Sequence, residues 1–282
     1  MRRFTTSVVI KRPLVGLLLL AELAVAVVLV AQPGGNTPPA ELVPPTATHV
    51  SLDVPTTPSD PLVLRDGRTV SLMALGGAQT ADVESRVLGE LDGAADAVTA
   101  FWGDDWPRNI VVVLTRTDEE FRALAVGEPD IAAATTPQRI VFAPGASSMS
   151  DAALRIVLRH ELFHYAARGR TAADAPRWLT EGVADFVGRP PTPMPGSQRA
   201  AALSQLPSDT DLDTAGAVRS LAYDRAWWFS RFVASRYGAE TLRKLYVTAC
   251  GTGHPDQATA MRETLAADAP RVLAAWRAWL SG

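Results

Sequence analysis

The first pattern along the chain is an unbroken apolar run. Residues 14–31 are apolar except for Glu22, and a bilayer-crossing helix needs about 20 such residues. This predicts one N-terminal transmembrane helix. From 32 to 61 prolines recur while large apolar residues are sparse and aperiodic, which predicts an extended, Pro-rich linker with no core of its own. Periodicity begins at residue 62. "RTVSLMALGG" has strand composition, and Val83, Val87, Leu91, Ala94 and Val98 then recur at helical spacing. "NIVVVLT" is a short β-branched run, as expected of a buried strand. "TDEEFRALA" opens on an N-cap, Thr117, with acidic residues in the first turn. "DIAAATTPQRIVFAPG" reads as two short strands around a turn at Thr136 to Gln138. Beyond Gly188 the pattern is almost wholly helical. The body, residues 62–282, is therefore expected to be α+β, and it contains no internal repeat.

Composition narrows the partners. A chain of 282 residues suits one or two domains, and 47% hydrophobic with 20% charged residues predicts a globular body. The net charge of −3 and the lack of a basic stripe argue against nucleic acid. The one cysteine, Cys250, allows neither an intramolecular disulfide nor a four-cysteine zinc site, so any metal must be held by His, Asp and Glu. Arg2, Arg3, Lys11 and Arg12 precede the apolar run, and no comparable basic cluster follows it. The positive-inside rule then puts residues 1–13 in the cytoplasm and everything after 31 outside. The expectation is a single-pass protein of the cell membrane, held by residues 14–31, with an extracytoplasmic body. The rival reading is a cleaved signal peptide, but its apolar region is usually shorter, about 7–15 residues, and "AVA" at 24–26 is poorly placed for cleavage. His49 falls in the linker and reads as a solvated side chain. The sequence gives no oligomeric state.

Candidate chemistry gathers in "LRHELFHYAARG". Ser148 and Asp151 fit a capped helix start, Gly169 fits a stop, and Leu154, Val157, Leu158, Leu162 and Tyr165 supply an apolar stripe. His160 and His164, four apart, project from one face and can share one metal ion. Glu161 lies about 100° around the helix from His160. There it can approach a metal-bound water without being a ligand. Zinc lowers the pKa of such a water towards about 7, and a neighbouring carboxylate can take its proton. Chance also produces H-E-x-x-H in charged helices, and a catalytic zinc needs a third protein ligand.

"PRWLTEGVADFVG" offers one. Pro176 marks a helix start and Gly188 a stop, with Glu181 between them. Trp178, Leu179, Val183 and Phe186 mark this helix as largely buried, and a buried acid needs a partner. The alternative for Glu181 is a surface helix glutamate. Asp185, four residues on, shares its face and is placed to accept the second ring N–H of a ligand histidine.

"HELFH" followed by "WLTEGVADF" resembles the gluzincin zinc metallopeptidases, and in particular the peptidase-MA-like domains of membrane-anchored proteins. "FWGDDWPRNIVVVLTRTDEEFRALA" is similar to that family's strand-then-helix lead-in, and "RIVFAP" to its edge strand. "AYDRAWWFSRFVASRYGAETLRKL" and "AWRAWL" are similar to its C-terminal helices. The likeness spans about residues 75–282. It implies a zincin-like (thermolysin-like) fold: a small mixed sheet with an N-terminal helix, then a mostly helical C-terminal lobe. It implies one Zn2+ held by His160, His164 and Glu181, with Glu161 as the base, acting on a peptide or protein substrate. It also implies that "RIVFAP" pairs with an extended substrate backbone.

An oxyanion donor is also needed. Tyr223 is the candidate, with a buried helix tyrosine as the equal alternative, and His254, in a loop, is the second choice. Trp227, Trp228, Tyr237, Trp276 and Trp279 sit at helical spacing among apolar residues and read as core. Cys250 reads as a small buried apolar residue. Arg155, Arg159 and Arg168 share the H-E-x-x-H helix, which excludes an intramembrane site because charges are costly in hydrocarbon. The expected function is a membrane-anchored, extracytoplasmic zinc peptidase. Its rival is a catalytically weak, zinc-containing binding or sensor module on a stalk.

Overall fold

A computed structural model of the chain describes residues 61–125 and 131–282. The tail at 1–13, the apolar span at 14–31, His49 and nearly all of the linker lie outside the described residues. Among the described residues, no helix is long and apolar enough to cross a membrane.

The body is mixed α+β. A small sheet comes first, with strands β1 (Leu62–Val63), β2 (Thr69–Ala74), β3 (Asn109–Leu114), β4 (Ala133–Thr135) and β5 (Ile140–Phe142) in the order β1-β2-β3-β5-β4. β2, β3 and β5 run parallel, and β1 and β4 are antiparallel to their neighbours. Helix α1 (Ala81–Trp102) links β2 to β3, and α2 (Asp118–Ala125) follows β3. Side chains alternate between the faces of the sheet. Ile110, Val112, Leu114, Ile140 and Phe142 join the main core beneath α1. Val113, Ala134 and Val141 face the other way, against Phe121 and Ala125 of α2.

β4 and β5 form the expected pair around a turn in which the Thr136 amide donates to the Arg139 carbonyl. One expectation is overturned. "RIVFAP" is not an edge strand, because β5 lies between β3 and β4 and spends its backbone groups on both. The edge on that side is β4. Substrate pairing along β5 is thus excluded.

The helical part opens with α3 (Asp151–Ala167) and α4 (Arg177–Gly188). It continues through α5 (Ser197–Leu203), α6 (Asp209–Asp213), α7 (Ala217–Tyr237), α8 (Ala239–Cys250), α9 (Gln257–Leu265) and α10 (Ala269–Ser281). The cap of α3 is Ser150, whose side chain accepts from the Ala153 amide. Ser148 instead closes a preceding 3-10 turn. Gly169 does not end the helix by a left-handed turn; α3 tightens into a 3-10 turn at Arg168–Arg170. Pro176 directly precedes α4. From His160 to Ala167 every residue of α3 is buried, not only a stripe, because α1, α4 and the β4 end of the sheet pack around it. Phe163 shows the density of that packing, meeting Trp102 and Tyr246 edge to face at 5.5 and 5.4 Å. Trp227, Trp228, Trp276 and Cys250 are buried as expected, while Tyr237 and Trp279 pack on the core's margin.

Two glycines let α4 approach its neighbours. A Cβ at Gly182 would lie 2.5 Å from the Ala226 carbonyl oxygen of α7, and one at Gly188 would lie 2.9 Å from the Ile156 carbonyl oxygen of α3. In an unobstructed helix, Gly→Ala gains about 1 kcal/mol. Here the sign reverses, because the added carbon meets backbone that cannot rotate away. Gly182→Ala is expected to cost about 1–3 kcal/mol, the usual range for overpacking, when measured by denaturant unfolding. A neutral or stabilised variant would show that α4 and α7 are not held at this separation.

Candidate metal centre

α3 places His160 and His164 one turn apart, and both side chains are buried. α4 brings Glu181 against them. The His160 and His164 Nε2 atoms are 2.9 Å apart, and Glu181 Oε2 lies 3.2 Å from the first and 3.7 Å from the second. Behind this triangle, His160 Nδ1 sits 2.9 Å from Asp185 Oδ1. A carboxylate only accepts, so Nδ1 carries the proton there and the neutral ring turns a lone pair on Nε2 towards the other two atoms. Lone pairs on His160 Nε2 and Glu181 Oε2 then face His164 Nε2 in a buried site, where a shared cation is favoured.

In the metal-free protein that cation is a proton. Burial would depress the His160 pKa, but hydrogen bonds to Asp185 and Glu181 outweigh it and hold the ring up to about 10. Glu181 is the counterpart. Burial would raise it, but His164 and His160 bring it down to about 2. The geometry also fits a metal. Ligands at 2.0–2.1 Å from a tetrahedral zinc lie about 3.3–3.4 Å from one another, and the three observed separations bracket that value. Among the described residues, His160, His164 and Glu181 form the group able to hold a metal ion.

Glu161 stands beside the triangle with its two oxygens in different states. The Thr135 hydroxyl at the end of β4 is shared between Glu161 Oε2, at 2.6 Å, and the Glu161 backbone carbonyl, at 3.0 Å. Oε1 is buried and has no hydrogen-bond partner among the described residues. Burial pushes the carboxyl's pKa up, opposed by His160 and His164. One oxygen is thus anchored and the other is open to a proton.

Tyr223 of α7 is also brought to this place. Its ring centroid is 6.4 Å from that of His160, and the charges of Glu181 and Asp185 act on its hydroxyl. Burial first, and then the neighbouring carboxylates, keep it un-ionised by pushing its pKa well up. His254 is elsewhere: its Nδ1 faces the Pro255 carbonyl at 2.9 Å and its Nε2 lies 3.6 Å from Asp174. The structure does not bring it to the site.

Sequence reasoning missed three contributors. Thr135 reads only as a strand-end residue. Arg189, just past α4, pairs with Asp185 at 2.6 Å and with Asp224 of α7 at 2.8 Å. Nothing in the spacing of Arg189 and Asp224, 35 residues apart, marks them as partners.

No protein-family model matches the chain, and no curated protein matches it. Among solved structures it is similar to M1 zinc metallopeptidases. A mutant of a two-domain M1 zinc metallopeptidase bound to L-arginine matches at 15% identity and a TM-score of 0.45, over 80% of this chain and 51% of that one. A mutant M1 enzyme from Deinococcus radiodurans matches at 16% identity and a TM-score of 0.46, with the same coverage. A two-domain mutant bound to L-tryptophan matches at 16% and 0.44. The chain spans about half the length of the structures it matches.

A metal ion bound by His160 would have to displace its proton, so the apparent zinc affinity is expected to rise about tenfold per pH unit through the neutral range. Competition with a chromophoric chelator measures this. An affinity independent of pH would show that His160 is not a ligand.

Proposed function

We propose that the body is a zincin-like peptidase of the gluzincin type, hydrolysing peptide bonds with one zinc ion held by His160, His164 and Glu181. One observation carries the reading: three buried acceptor atoms meet at metal-ligand separations beside a carboxylate oxygen, Glu161 Oε1, that has no hydrogen-bond partner of its own. Bound zinc supplies Lewis-acid polarisation of a carbonyl and lowers the pKa of water. Glu161 Oε1 takes the proton of the attacking water and delivers it to the leaving amine. Thr135 keeps Oε2 fixed during that transfer. Asp185 holds the His160 ring with Nε2 inward. The un-ionised Tyr223 hydroxyl donates to the developing oxyanion.

The proposal extends to location. Residues 14–31 anchor the chain in the cell membrane as a single pass, residues 32–61 act as a stalk, and the peptidase body faces outward. Support comes from the length of the apolar run and from the basic residues that precede it without a counterpart after it. The substrate is a peptide or protein.

A second reading is a zinc-containing binding or sensor module with little turnover. It is favoured by the burial of the ligands, of which His164 is the most exposed at 5%, since structural zinc sites are closed. Glu161 weighs against it, because a structural site has no use for a base at that place.

The wild-type protein is expected to hold one zinc per chain and to cleave members of a peptide library. Glu161→Gln should keep the metal and lose about 10²–10⁴ in rate, the usual contribution of a general base. Metal analysis with mass-spectrometric detection of products measures both. A wild-type protein without stoichiometric zinc would end the metal reading. Zinc without cleavage, and no change in Glu161→Gln, would favour the sensor module.

A further inference from the structure

Behind Asp185 the polar contacts do not stop. Asp185 and Asp224 sit on different helices, α4 and α7, and both are buried. One guanidinium lies between them: Arg189 Nη1 donates to Asp224 Oδ1 at 2.8 Å, and Nη2 stands 2.6 Å from Asp185 Oδ2 as an ion pair outside hydrogen-bond geometry. Arg199 of α5 closes the far side of Asp224 at 2.7 Å. Arg189 is only 17% exposed in its side chain, and its guanidinium carbon stands 5.2 Å from the centre of the Trp227 ring. Forming this arrangement requires removing three charges from water, and a lone ion pair gains little from that.

We infer that Arg189 and Asp224 are positioning residues for the metal centre, acting through Asp185 on the His160 ring. The inference rests on the zinc reading above. The Arg189 guanidinium hydrogen-bonds Asp224 and holds Asp185 by charge, so one planar group spans both carboxylates. Asp185 is thereby held in the one orientation that directs His160 Nε2 towards His164 and Glu181. Asp224 ties that orientation to α7, the helix that also carries Tyr223, so ligand and oxyanion donor share one frame.

The test uses the full chain and reads zinc affinity by chelator competition and the visible absorption of the Co2+-substituted protein. Electrostatics alone would give opposite signs: Arg189→Gln removes a positive charge and should tighten zinc, whereas Asp224→Asn removes a negative charge and should weaken it. Positioning makes both variants weaker, by about tenfold or more as for other outer partners of ligand histidines. It also shifts or broadens the Co2+ bands, and Arg189→Lys should recover part of the loss. Ile110→Val, in the buried face of β3, should lower the melting temperature without moving either readout. If Arg189→Gln does not fold, Asp224→Asn, which preserves volume, carries the test through the Co2+ spectrum, which loss of charge alone would leave unshifted. Wild-type affinity and spectrum in Asp224→Asn, or tighter zinc in Arg189→Gln, would overturn the inference while leaving the zinc reading intact. A wild-type protein that binds no zinc would remove both.

Discussion

Three electron-pair donors face one another within 3.7 Å in a region almost closed to water. With no proton shared among them they would repel. The surrounding structure can be understood as the means of holding that unfavourable triangle together. α3 contributes two of its corners and is buried on nearly every side. α4 contributes the third and crosses both α3 and α7 at separations that only glycine permits. The arrangement stores a demand for positive charge, which a proton meets partly and a divalent ion meets fully.

The helices around the triangle divide the work by depth. In the arrangement inferred above, Asp185 orients a ring, Arg189 holds Asp185 and Asp224 holds Arg189, so precision is passed outward from the ring to the charged pair and on to α5. Thr135 performs the same task from the sheet side for Glu161. Two independent supports, one from the helices and one from β4, therefore meet at neighbouring residues of one helical turn.

Much of this was legible in the sequence where local periodicity carries the information. The four-residue spacing of His160 and His164, the buried character of the helix around Glu181 and the four-residue step to Asp185 each follow from helix geometry. The alternating strand segments and the turn at Thr136 to Gln138 follow from turn chemistry. What was not legible depends on pairing across long sequence distances. "RIVFAP" looks like any short apolar strand, and only the sheet order places it inside the sheet instead of at its edge. The partners Thr135–Glu161 and Arg189–Asp224 are 26 and 35 residues apart, with no period to reveal them. Ser148 and Ser150 are both capping residues by type, and the preceding 3-10 turn decides between them.

Burial of the ligands also has a consequence in time. An ion held by His160, His164 and Glu181 would sit behind side chains that are at most 5% exposed, so local opening of α3 against α4 would contribute to its rate of exchange. Affinity and exchange rate then become separate quantities, set by different parts of the same site.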